Sequence, residues 1–193
     1  MTAGRLATPW TFRLPLPPAG WLELDLEKSN AAALFDAVSA DISVERTRFV
    51  DLIDRSAQDA RRRGAIVAFL GWRPSTEPAP TATLNVTAIS NTAGDVGELG
   101  TALRTAQDTD VSPRVVEAVE LPVGRALRVR VYASAGRAPA GGETVIDVVQ
   151  YWLPVPRTGQ LLVASSSTTE ISTGDEVAGL LDAMMDRLTI EVP

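Results

Sequence analysis

At 193 residues, 45% hydrophobic and 22% charged, the chain suits one globular domain better than two and can bury a sizeable core. It has no histidine and no cysteine, which excludes disulfides, thiolate metal or redox sites, imidazole ligands, and Ser-His-Asp or Cys-His catalysis. A net charge of −6 disfavours nucleic acid or an anionic membrane surface as the main partner, because phosphate binding needs a basic footprint.

Residues 10–26 alternate around a break. Trp10, Phe12 and Leu14 share one parity, Pro15–Gly20 interrupts, and Leu22, Leu24 and Leu26 share one parity against Glu23 and Asp25. Period-two patterning predicts two half-buried strands joined by a turn. A short helix is expected over residues 31–40. Ser43 to Arg63 reads as the best long helix: Ser43 is placed to cap it, and Phe49, Leu52, Ile53, Ala57 and Ala60 make one apolar face. Arg61, Arg62 and Arg63 suit its carbonyl end, and Gly64 supplies the stop.

The continuous apolar run Ala65–Trp72 predicts a strand covered on both faces. Thr81–Ser90 alternates as a strand, and Asp95–Ala106 reads as a helix capped by Asp95. Arg114–Leu121 and Gly124–Ser134 predict one hairpin, and Glu143–Leu153 with Gln160–Glu170 a second. Asp175–Leu188 closes the chain as a helix, with Val177, Leu180, Leu181, Met184 and Leu188 on one stripe, before a short tail over 190–192. Pro15–Gly20, Pro74–Pro80 and Gly136–Gly142 read as loops. Residues 1–18 hold no signal-like apolar stretch and no run of 18 apolar residues occurs. No membrane insertion is therefore expected, and the cytoplasm is the expected location.

Helices interrupting a hairpin-rich chain give one α+β domain over residues 1–193, a largely antiparallel sheet sandwiched by helices. Val148-Val-Gln-Tyr-Trp-Leu-Pro154 is an aromatic strand with a proline stop, Leu161 to Thr169 a strand ending in hydroxyls, and Val177 to Leu188 a final amphipathic helix. In this ending and in element order the chain resembles the Mog1/PsbP-like superfamily. That resemblance implies an α/β/α sandwich and a mostly non-enzymatic protein. The superfamily covers Ran-GTPase binding, photosystem II support and lipoproteins, so no particular function or site residue carries over. The lipobox cysteine of its lipoprotein members is absent.

Few residues suggest chemistry. Lys28 is the only lysine against 17 arginines, a bias of the GC-rich, actinobacterial kind. Ser166 and Thr168, in the run Ser165–Thr169, read either as hydroxyls lining a polar site or as a strand end meeting solvent. Arg128 and Arg130 read as an anion site or as cross-strand ion pairs with Asp147 or Glu143. Trp10 and Trp21 flank the proline-rich turn and are the expected surface anchors, whereas Trp72 and Trp152 are expected in the core. Asp51 with Asp54, and Asp147 with Glu143, are the available carboxylate pairs, but their spacing predicts charged faces rather than a catalytic acid and base. No phosphate-loop, dinucleotide or calcium-loop motif occurs, so no cofactor and no metal are expected. The expected role is a non-catalytic, protein-binding accessory module, with a small-ligand carrier or a carboxylate-dependent enzyme as the alternatives.

Overall fold

The computed structural model describes residues 2–5, 10–38, 45–72, 81–93, 95–106, 110–137 and 143–193. Ser43, the loop expected over 74–80 and residues 138–142 of the loop expected over 136–142 lie outside the described residues, while Gly136 and Arg137 of that loop continue the preceding strand. The strands are β1 (Thr2–Arg5), β2 (Thr11–Leu14), β3 (Trp21–Glu23), β4 (Ala65–Gly71), β5 (Ala82–Ser90), β6 (Val115–Leu121), β7 (Gly124–Arg137), β8 (Glu143–Val155), β9 (Gln160–Thr168) and β10 (Thr189–Glu191). The helices are α1 (Ala31–Val38), α2 (Arg46–Arg62), α3 (Val96–Thr105) and α4 (Gly174–Met185), the last entered through a 3-10 turn at Ile171–Thr173.

Seven strands form one antiparallel sheet in the order β3-β4-β5-β9-β8-β7-β6. The two strands expected within residues 10–26 both form, but they do not pair with each other. Pro15, Pro17 and Pro18 cannot continue a hydrogen-bonded ladder. Hence β2 stays in a separate three-stranded sheet between β1 and β10, while β3 joins the large sheet beside β4. The expected tail is therefore a strand, with Ile190 opposite Phe12.

Both faces of the large sheet are covered. On one, α4 and the small sheet bury Trp10, Phe12, Leu181, Met184 and Met185 against Val67, Phe69, Leu84, Val86, Val149, Tyr151 and Leu162. On the other, α1 and α2 bury Phe49 and Ile53 against Ala68, Leu70 and Trp72, and α3 buries Leu99 and Leu103 against Leu127, Val129, Leu161 and Val163. Trp72 meets Phe49 edge-on, ring centres 5.1 Å apart at 67°. The helix signals hold where they are described. Asp95 accepts from the Glu98 N–H at 2.8 Å to cap α3, and Gly64, at φ +76°, ends α2 in the left-handed conformation. Among the described residues no helix is long and apolar enough to cross a membrane.

Candidate functional site

The expected site residues separate by burial. Trp10 is corrected from surface anchor to core: it is 1% exposed, packs with its ring centre 6.1 Å from that of Phe12, and donates its indole N–H to Gln160 Oε1 at 2.7 Å. Its shared parity with Phe12 and Leu14 places it on the buried side of β2. Ser166 and Thr168 are also buried and face α4. Thr168 Oγ1 donates to the Thr81 carbonyl at 2.6 Å and accepts from the Glu170 N–H at 3.0 Å, so it clamps the end of β9 onto β5. Among the described residues Ser166 Oγ has no hydrogen-bond partner. A buried hydroxyl without a partner opposes folding, so Ser166→Ala is expected to raise stability by about 1 kcal/mol, measured as a shifted urea midpoint at unchanged slope.

Arg128 and Arg130 do not lie on a solvated face, because α4 covers the sheet there. Arg130 binds the buried Asp147 through Nη2 at 2.6 Å and Nε at 3.1 Å, and reaches Asp175 at 2.7 Å. Arg128 turns instead to Asp182 of α4, at 2.9 and 3.1 Å, with the Tyr151 hydroxyl donating to the same carboxylate at 2.9 Å. Hydrogen bonding to Asp147 holds the Arg130 pKa above its ordinary value. Burial works against the Arg128 cation, but Asp182 outweighs it and that pKa rises too. Burial, then the bond to Asp182, raises the Tyr151 phenol. These groups hold their charge states near neutrality and satisfy one another, so the arrangement docks α4 on β7 and β8 rather than presenting a reactive acid or base.

Asp51 and Asp54 share a shallow surface hollow of about 430 Å³ with Asp25, Glu27, Arg55 and Arg61. Asp51 lies 3.5 Å from Arg55 and Asp54 accepts from Ser29 Oγ at 2.6 Å, both on the exposed side of α2. Asp25 accepts the backbone N–H of Lys28 at 2.9 Å and of Glu27 at 2.8 Å, which lowers its pKa and places the one lysine in an exposed turn. Among the described residues no group of three or more acidic side chains is arranged to hold a metal.

An apolar cleft sits beside Trp21. It measures about 260 Å³ and is lined by Pro18, Trp21, Gly71, Ala82, Val177 and Leu180, with Thr81, Thr173 and Glu176 as polar neighbours. Trp21 lies opposite Gly71 in the β3–β4 register, and a Cβ on Gly71 would stand 3.3 Å from the Trp21 ring. The absent side chain at Gly71 lets the indole lie down on the sheet and leaves the cleft beside it. Val177 and Leu180 are half-buried rather than core. Helical periodicity alone puts both on the packed stripe of α4. The signal that separates them is the helix's excess of apolar residues, since Ala178, Leu181, Met184 and Met185 already fill the buried side.

A second open surface is polar. On the opposite face, between α2 and α3, the half-buried Thr83, Asn85 and Thr87 of β5 adjoin Ser165 and Ser167 of β9 and Gln150 of β8. Thr83 Oγ1 and Ser167 Oγ are 2.9 Å apart. The hydroxyls that reach an open face are thus Ser165 and Ser167, one residue away from those singled out in the sequence.

The layering is the expected α+β sandwich, a largely antiparallel sheet with helices packed on both faces. No family model and no curated protein matches the sequence. Among solved structures it is similar to LpqN, involved in cell envelope biogenesis of Mycobacterium tuberculosis, with a TM-score of 0.54 and 12% identity over 97% of this chain and 86% of that one. It is also similar to the Ran-binding protein Mog1p of Saccharomyces cerevisiae, with a TM-score of 0.42 and 13% identity over 65% of this chain and 78% of that one. At such identities likeness speaks for the fold alone.

Proposed function

We propose that this chain is a non-catalytic protein-binding module, and that its Trp21 cleft takes one bulky apolar side chain from a partner protein. The observation that carries this reading is the cleft itself: an apolar hollow with an aromatic wall, open to solvent past the exposed Ala19 and Gly20. Aromatic-walled pockets of this kind hold the anchor residues that dominate interfaces. Its size favours a side chain over a carried metabolite, because about 260 Å³ falls below the roughly 300–1,000 Å³ of pockets that bury drug-sized ligands. An enzymatic reading needs two carboxyls with separated pKa values in a shared cleft: Glu176 is the one acid at the Trp21 lining, and in the hollow that gathers Asp25, Glu27, Asp51 and Asp54 the helix carboxylates are exposed and held by Arg55 and Ser29. A bacterial cytoplasm stays the proposed setting, on the missing cysteines and the arginine-over-lysine bias alone.

Titration with 5-fluoroindole, followed by fluorine and methyl NMR, tests the cleft directly. Saturable binding is expected, with shifts at Trp21, Val177 and Leu180. Leu180→Arg is expected to remove it while leaving the melting temperature within about 2 °C, since the side chain is only half-buried. Binding that survives Leu180→Arg would contradict the assignment. A metabolite that raises the melting temperature of the wild-type chain, and not of Leu180→Arg, would favour the carrier reading instead.

A further inference from the structure

The sheet ends, at the margin opposite Trp21, on β6, and among the described residues no strand pairs with its outer side. Antiparallel pairing turns the N–H and C=O of every second residue away from the partner strand. Arg104 marks which ones: its Nη2 donates to the Val116 carbonyl oxygen at 3.4 Å, so Val116 faces outward, and with it Ala118 and Glu120. Three N–H groups and two further carbonyls are thus left along the margin. Proteins usually blunt such an edge with Lys, Pro or a bulge. None of these occurs in Val115-Val-Glu-Ala-Val-Glu-Leu121, and its register with β7 is unbroken.

The margin is also apolar and acidic. Asp110 bridges to Ala133 and the Val111 N–H donates to the Tyr132 carbonyl at 2.8 Å, so the preceding segment continues along β7. Val111 and Val115 are 46% and 54% exposed on this margin. Glu117 and Glu120, three residues apart on the strand, fall on opposite faces of the sheet and leave the edge itself uncovered. Each is loosely ion-paired, Glu117 with Arg128 at 3.9 Å and Glu120 with Arg125 at 3.6 Å, and their side chains stay 58% and 78% exposed. Ala118, small and exposed, sits between the two acids.

We propose that the outer edge of β6 docks an extended, cationic segment of a partner protein, which adds to the sheet as an eighth strand. Main-chain bonds to Val116, Ala118 and Glu120 supply the pairing, with the incoming strand taking the place of Arg104. Basic side chains opposite Glu117 and Glu120 set the charge, and apolar ones meet Val115 and Val119. A second copy of this chain fits less well. Pairing about Ala118 would set each Glu117 diagonal to its own copy, between two chains of charge −6. This edge is separate from the Trp21 cleft, so failure at one leaves the other standing.

The test uses the full nitrogen-15-labelled chain and three short peptides: Lys-Val-Thr-Lys-Thr-Val, which in antiparallel register sets lysine opposite Glu120 and Glu117 and valine opposite Val119 and Val115, the same peptide N-methylated at alternate positions, and the same with glutamate for lysine. The valine–lysine peptide is expected to bind saturably, shift the amides of Val116, Ala118 and Glu120, and protect them from exchange. N-methylation should weaken it about tenfold or more by deleting main-chain donors, and the glutamate peptide should not bind. Ala118→Pro removes one outward N–H at an edge where proline is tolerated, and should weaken binding at an unchanged melting temperature. Glu117→Lys with Glu120→Lys should exchange the preference to the glutamate peptide. Equal binding of the N-methylated peptide, shifts confined to other segments, no binding, or a dimer that already protects these amides would each overturn the proposal.

Discussion

Arg130→Met is expected to destabilise the chain by about 3–5 kcal/mol, the full penalty of stranding a buried charge. The reason is its partner. The Asp147 side chain is 1% exposed and lies under the first turn of α4, and Arg130 supplies both bonds at 2.6 and 3.1 Å. Removing the guanidinium strands a carboxylate where water cannot reach. Asp147→Ala should cost less, about 2 kcal/mol, because Arg130 is 26% exposed and keeps Asp175 at 2.7 Å. The double substitution leaves no stranded charge, so it is expected to be more stable than Arg130→Met alone. Urea midpoints of the four chains complete the cycle. Destabilisations that simply add would show that the two groups act independently.

Gly174→Ala is expected to destabilise by about 2–3 kcal/mol, opposite in sign to the usual effect of replacing a helical glycine. Gly174 has ordinary helical angles, φ −54° and ψ −42°, so alanine meets no backbone strain. The obstacle is contact: a Cβ would collide with Asp147 Oδ2 and come within 3.3 Å of Arg130 Nη2. Neither neighbour can yield easily, since each holds the other. Gly179, on the exposed side of the same helix with nothing within 4 Å, is the control, and Gly179→Ala should stabilise by about 0.5–1 kcal/mol. Thermal melts of the two variants should therefore move in opposite directions. If both rise, α4 does not seat on the Arg130–Asp147 pair as described.

What is legible in the sequence depends on which contacts are local. The long helix, its stop at Gly64 and the hairpins are readable because each is set within a few residues by periodicity or turn chemistry. The phase of β9 is not, because Leu161, Leu162, Val163 and Ala164 are buried on both faces and carry no alternation to read. Ser166 therefore reads as a candidate open hydroxyl, when Ser165 and Ser167 are the half-buried ones. The polar parity of β7 marks Arg128, but its partner Asp182 lies 54 residues away on α4, out of reach of cross-strand reasoning. Trp21 stands out by its place beside the proline-rich turn. The rest of its cleft comes from Gly71, Val177 and Leu180, which the chain brings together only in the fold.

That this chain works by receiving a partner's apolar side chain beside Trp21 is tested most directly by photo-crosslinking. A benzophenone side chain at Ala19, on the exposed lip of the cleft, would be irradiated in native lysate, in the otherwise wild-type chain and in Leu180→Arg. The expected result is one reproducible protein adduct that Leu180→Arg abolishes. An adduct formed equally by both chains, or none by either, would contradict it.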